Sequence, residues 1–224
     1  GGNGTDVINV DTSAPAGGYG YSDYVFVDGG ADADVINVGF SSPEDAFVLG
    51  GTGNDNIHVT VQFQATVDGG SGNDYIHVTT KVNTANADDA SVVGASGDDT
   101  IFVFAEDNLT VDGGTGDDVI DVTADNNEGS VGDGTVFGGD GNDVITVRTN
   151  FDGALNATDP NYYIRAGQGN DVINLQGFAG DANNNGVQDA GETINGNIFE
   201  GGQDTVVFEN VTYNAGQQVT NENG

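Results

Sequence analysis

The chain contains no cysteine, no tryptophan and no methionine in 224 residues. Without cysteine there is neither a disulfide nor a thiolate metal site. An oxidising compartment stays open, but stability has to come from elsewhere. Positive charge is nearly missing too. Lys81, Arg148 and Arg165 stand against 36 Asp plus Glu, and the formal net charge is -33. A polyanion of this kind repels nucleic acid and anionic membranes, so neither is an expected partner. No apolar run approaches the length of a membrane-spanning helix, and membrane insertion is not expected. A phosphate-binding loop is excluded because no Gly-Lys-Ser/Thr follows any of the glycine-rich turns. No G-x-S-x-G nucleophile elbow is present. No catalytic set emerges, and the chain is not expected to be an enzyme.

Glycine and acid are abundant, and they are periodic. Six-residue turns recur as GGNGTD (Gly1–Asp6), GGADAD (Gly29–Asp34), GGTGND (Gly50–Asp55), GGSGND (Gly69–Asp74), GASGDD (Gly94–Asp99), GGTGDD (Gly113–Asp118), GGDGND (Gly138–Asp143) and AGQGND (Ala166–Asp171). A contracted GGQD follows at Gly201–Asp204. Their starts are separated by 28, 21, 19, 25, 19, 25, 28 and 35 residues. Such a composition often signals disorder. Here, however, 36% of residues are hydrophobic, and Val and Ile fall at fixed offsets from each turn.

Each turn is followed by a short alternating run. Its inward pairs are Ile8/Val10, Ile36/Val38, Ile57/Val59, Ile76/Val78, Ile101/Val103, Ile120/Val122, Ile145/Val147, Ile173/Leu175 and Val206/Phe208. Two residues before each turn after the first stand Val27, Val48, Val67, Val92, Val111, Val136, Ile164 and Phe199. Strand, turn, strand, repeated once per coil, predicts an all-β, right-handed parallel β-solenoid of about nine coils. At about 4.8 Å per coil the rod is roughly 43 Å long. The 19-residue spacing is the minimal coil. Longer coils place their extra residues on the edge opposite the turns, where the sequences differ and are read as surface loops. The whole of 1–224 is one solenoid segment, with 176–199 as an insertion. The chain opens inside a repeat, at Gly1–Asp6, and is read as a piece of a longer protein.

Glycine lets the turn backbone adopt positive φ and bring carbonyls together without a Cβ clash. Aspartate adds a hard anionic oxygen. Calcium takes six to eight oxygens, more than one turn offers, so each ion is expected between two stacked turns. Eight full-length turns of this kind, each leading into an Ile-x-Val-like strand, resemble the GGxGxDxUx nonapeptide of the RTX (repeats-in-toxin, haemolysin-type) calcium-binding family. The resemblance covers nearly the whole chain. It implies a β-roll with Asp6, Asp34, Asp55, Asp74, Asp99, Asp118, Asp143 and Asp171 as side-chain ligands. The nonapeptide falls on one edge only, so a single calcium row and a free, variable edge are expected. Asp32 replaces the fourth-position glycine of the second turn, where a distorted loop or an added ligand is expected, and the turn at Asp204 has lost two residues, where the calcium row is read as ending. The other reading of all these turns is that they are ordinary tight turns.

A second motif runs from Asp181 to Glu192, DANNNGVQDAGE, and fits D-x-[DN]-x-[DN]-G-x5-E. It resembles an EF-hand-type loop without flanking helices, like those of bacterial surface proteins. Asp181, Asn183, Asn185, the carbonyl of Val187, Asp189 and Glu192 are its implied ligands. The alternative is a polar insertion that happens to match. Two smaller features complete the reading. His58 and His77 share one outward strand position and are expected to stack as solvated ladder residues, a surface zinc site being the other reading. Tyr19, Tyr21, Tyr24 and Phe26 form an aromatic patch, read as loop packing rather than an interaction surface.

The resemblance implies a calcium-binding structural or adhesive segment of a secreted bacterial surface protein, such as an adhesin, surface-layer or filament component. About eight calcium ions in all are expected. Such a segment leaves the calcium-poor cytoplasm unfolded by type I secretion and folds outside on calcium. Its expected partners are calcium, neighbouring domains or copies at the solenoid ends, and a surface or carbohydrate ligand on the variable loops. One alternative is the carboxy-terminal folding module of a secreted protease or polysaccharide epimerase. Another is an ice-binding solenoid, against which stands the irregular third turn position (Asn3, Ala31, Thr52, Ser71, Ser96, Thr115, Asp140, Gln168).

Overall fold

The computed structural model describes residues 1–12, 23–40, 44–80, 89–105, 108–125, 134–150, 162–176, 194–195 and 205–209. The strands in chain order are β1 (Gly2–Asn3), β2 (Val7–Thr12), β3 (Asp23–Ala31), β4 (Val35–Phe40), β5 (Glu44–Thr52) and β6 (Asn56–Val61). Then come β7 (Ala65–Ser71), β8 (Tyr75–Thr80), β9 (Ala90–Ser96), β10 (Thr100–Ala105), β11 (Leu109–Thr115) and β12 (Val119–Asp125). The last six are β13 (Gly134–Asp140), β14 (Val144–Asn150), β15 (Tyr162–Gln168), β16 (Val172–Gln176), β17 (Ile194–Asn195) and β18 (Thr205–Glu209). No helix occurs among the described residues.

Odd-numbered strands form one nine-stranded sheet in sequence order and even-numbered strands form the other. Every pairing in both sheets is parallel. The chain thus alternates between two sheets and advances one strand position per coil, which is the expected β-solenoid. From β1 to β16 the six-residue turns join each odd strand to the following even one.

Register follows the sequence repeat. Ile8, Ile36, Ile57, Ile76, Ile101, Ile120, Ile145 and Ile173 stand opposite one another through the even sheet. Val27, Val48, Val67, Val92, Val111, Val136 and Ile164 do the same in the odd sheet. Apart from the partly buried Ile8, all of these are buried between the sheets. A β-branched side chain fits this pleated, stacked surface with little rotamer loss. Each fully buried Val or Ile contributes about 1.5–3 kcal/mol of transfer free energy. A slip of one residue would turn these columns outward, so burial locks the register. The side chains of Val206 and Phe208, and all of Phe199, lie outside the described residues.

Candidate metal-binding row at the turn edge

The turns owe their shape to two left-handed positions. The second residue has positive φ in Gly30, Gly51, Gly70, Gly114, Gly139 and Gly167, and the fourth in Gly53, Gly72, Gly97, Gly116, Gly141 and Gly169. Where the sequence departs from glycine the backbone keeps the same conformation. Ala95 has φ 80° and Asp32 has φ 75°. Asp32 does not distort its turn. Its Oδ2 accepts the Gly4 N–H of the preceding coil at 2.8 Å.

The first turn position needs glycine for space rather than for φ. A methyl group on Gly50 would stand 2.6 Å from Asp55 Oδ2 and 2.4 Å from the Gly69 carbonyl oxygen. On Gly113 it would stand 2.4 Å from Asp118 Oδ2 and 2.5 Å from the Gly138 carbonyl oxygen. At each such coil, then, the carboxylate of one turn and a backbone carbonyl of the next crowd one small space. The eighth turn begins with buried Ala166 where the other described turns have glycine. That substitution marks Asp171 as the member of the row least like the others.

The last residue of each turn points inward. Asp34, Asp55, Asp74, Asp99, Asp118, Asp143 and Asp171 are all at most 2% exposed, as fully covered as the isoleucines beneath them. One carboxylate oxygen of each is engaged. Oδ1 of Asp34, Asp55, Asp74, Asp99, Asp118, Asp143 and Asp171 accepts the backbone N–H of the aspartate one coil earlier, at 2.7–2.9 Å. The aspartate carbonyls are engaged too. Asp55 and Asp74, for example, accept from Tyr75 N–H and Thr100 N–H at 2.8 Å. The second carboxylate oxygen is a different matter. Oδ2 of Asp34, Asp55, Asp74, Asp99, Asp118 and Asp143 is buried with no hydrogen-bond partner.

Burial is the main influence on these acids. Desolvation raises Asp74 and Asp118 to about 7 and Asp99 and Asp143 to about 6, against an ordinary 3.8. The backbone hydrogen bond each accepts opposes this rise, and neighbouring carboxylates add to it. Asp55 is shifted upward for the same first reason. A buried carboxylate with one empty oxygen requires a proton or a cation.

A hard divalent cation fits this donor set. Asp6, Asp34, Asp55, Asp74, Asp99, Asp118, Asp143 and Asp171 line one edge, with turn carbonyls between them. The third-position carbonyls of Ser71, Ser96, Thr115, Asp140 and Gln168 accept the fourth-position N–H of the preceding coil. Each carbonyl has a second lone pair for a cation. Among the described residues no three acidic or imidazole side chains converge at one point. Backbone oxygens would therefore have to make up most of any calcium shell.

A second ladder was not foreseen from the sequence. The fifth-position side chains Asn54, Asn73, Asp98, Asp117 and Asn142 accept the N–H of the fifth residue one coil later, at 2.7–3.1 Å. Its signal was present, since that position is Asn or Asp in six consecutive turns from Asn54 to Asn170. These side chains are exposed, and they point along the stack in the opposite sense to the buried aspartates.

Other candidate residues are placed as follows. Asp181, Asn183, Asn185, Val187, Asp189 and Glu192 lie outside the described residues, as do Asp204, Tyr19 and Tyr21. Tyr24 and Phe26 keep 62% and 57% of their surface exposed, so the described strands do not pack them away. Phe26 stacks on Phe47 of the next coil, with ring centres 5.7 Å apart. His58 and His77 are register partners on adjacent strands β6 and β8. Comparison with protein-family models, with curated proteins and with solved structures gave no match.

Proposed function

We propose that this chain is a calcium-binding structural segment of a secreted bacterial surface protein. The observation that carries the reading is the row of buried aspartates, one per coil, in which Asp34, Asp55, Asp74, Asp99, Asp118 and Asp143 each keep an unpartnered oxygen, crowded at Gly50 and Gly113 against a backbone carbonyl of the next turn. A protein surface that is already strongly anionic would not bury further carboxylates in a single file without a counter-charge. Calcium suits the all-oxygen donor set, and neither thiolate nor imidazole is offered along this edge. In this reading the ions lie between consecutive coils, held by Asp6, Asp34, Asp55, Asp74, Asp99, Asp118, Asp143 and, most weakly, Asp171. A further ion belongs to Asp181–Glu192. With about eight ions bound, the net charge falls from -33 to roughly -17.

Calcium here supplies neutralisation, and the binding free energy becomes folding free energy. The biological use follows from where calcium is plentiful. The chain stays unfolded inside the cell and becomes a rigid rod outside it. Adhesive, surface-layer or filament roles all call for a stiff spacer of this kind, with the opposite edge free to vary.

Circular dichroism during a calcium titration tests this. β-structure should be absent in excess chelator at pH 7.5 and should appear cooperatively as calcium is added. A full β-sheet spectrum in chelator at that pH would refute the mechanism.

A further inference from the structure

The outer face of the even-numbered sheet carries one feature that the aspartate row does not use. His58 and His77 are the only two histidines of the chain. They stack on adjacent coils, with ring centres 4.7 Å apart and ring planes at 82°. His58 is exposed and His77 half-buried. On its far side His77 meets the ring of Phe102 at 6.2 Å, and Tyr75 packs on that same ring at 5.7 Å. These rings limit how far His77 can swing away. His58 Nε2 lies 3.5 Å from Thr60 Oγ1, so this nitrogen sits at the outer surface of the sheet.

Imidazole nitrogen binds zinc or copper at about 2.0–2.1 Å. A ring centre then stands about 3.2 Å from the ion, and two centres 4.7 Å apart subtend about 95° there. The spacing of the two rings is thus within the reach of one shared ion of the copper or zinc class. Burial, and then the neighbouring His58, pulls the pKa of His77 below its ordinary value. That shift favours the neutral ring, which is the form that ligates.

We propose that His58 and His77 form a two-imidazole site for a divalent transition-metal ion of the copper or zinc class. The site lies on the flat face of the rod, outside the aspartate row. No third acidic or imidazole side chain joins the pair among the described residues, so water completes the shell. The two ligands are 19 residues apart in sequence and meet only through the stacking of their coils. The site is thus a property of the folded solenoid.

Cu2+ is the appropriate probe, because it binds nitrogen sites most strongly among the first-row divalent ions. One equivalent is added to the chain in excess calcium, which saturates the surface carboxylates, and electron paramagnetic resonance is recorded. The expected spectrum shows coupling to two nitrogens. His58→Ala and His77→Ala should each leave at most one nitrogen and weaken binding by at least about tenfold. Both variants should keep the parent circular dichroism, since neither side chain is in the core. A spectrum without nitrogen coupling, or one that neither substitution changes, overturns the proposal. A zinc titration followed by the imidazole Hε1 resonances is the second readout. Both histidines should shift together and saturate at the same zinc ratio, and independent shifts would refute a shared ion.

Discussion

Asp74 Oδ1 accepts the backbone N–H of Asp55 at 2.8 Å, while Asp74 Oδ2 is buried with no partner. The two oxygens of one carboxylate therefore have separate duties. The first belongs to the fold, because it completes the preceding turn. The second is open to a ligand. Asparagine separates these duties, since it keeps an acceptor in the first position and replaces the second oxygen with a neutral NH2 group.

Asp74→Asn with Asp118→Asn should therefore weaken calcium-induced folding while preserving the turn. The expected outcome is a calcium midpoint raised several-fold, with more residual β-structure in chelator than the parent chain. A calcium titration by circular dichroism reads both quantities. An unchanged midpoint would show that these carboxylates hold no ion.

Acid should substitute for calcium. Asp74 and Asp118 are raised to about 7 in the fold and revert toward 3.8 when it is lost. Raised acids favour the fold when protonated. Their contribution is complete below about 4 and is lost as pH climbs through about 7. In excess chelator, β-structure should form near pH 4 and melt out by pH 7.5. With calcium present it should persist above pH 7.5. A chelator-treated chain with no pH dependence between 4 and 7.5 would contradict the burial of these carboxylates.

Ala95 and Gly70 test the left-handed turn position. Ala95 holds φ 80°, where an L residue is strained, so Ala95→Gly should stabilise the calcium-loaded chain by about 1 kcal/mol. Gly70→Ala should be far more harmful than strain alone would make it. Its methyl would stand 2.0 Å from the Gly51 carbonyl oxygen, far inside van der Waals contact. A loss of at least about 1–3 kcal/mol is expected, measured by thermal or denaturant unfolding in calcium.

Most of the fold could be read from the chain because each coil repeats one apolar formula. The offset of Ile57, Ile76 and Ile101 from their turns sufficed to place both sheets and their register. The inward path of the aspartates was harder to foresee. Sequence shows Asp55 after a glycine turn, but only stacking shows that its side chain is capped by Asp34 N–H and covered by the coils around it. The fifth-position ladder escaped notice for a related reason. Asn54 and Asn73 look like ordinary turn residues until one backbone N–H is seen to meet the other side chain. The loops opposite the turns share no formula, so nothing in the repeat speaks of their form.

The core and the exposed ladder should differ in weight. Ile145→Ala removes a fully buried side chain from its column and should cost about 2–5 kcal/mol. Asn142→Ala removes an exposed acceptor that serves both the N–H and side-chain amide of Asn170, and should cost about 0.5–1.5 kcal/mol. Denaturant unfolding of the calcium-loaded variants compares them directly. A larger loss from Asn142→Ala would place the stability of the rod in its turn edge rather than in its core.

The opposed senses of the two turn ladders make the coil an interchangeable unit. At each junction from Asn54 to Asn170 the inner side chain is supplied from one side and the outer side chain from the other, always to the same backbone positions. Excising one complete coil, or duplicating one, leaves the same two bonds to re-form between the new neighbours. Length can therefore change by whole coils without stranding a polar group. A rod built on this rule can be lengthened or shortened by simple gene duplication or deletion, its reach adjusted in steps of one strand spacing.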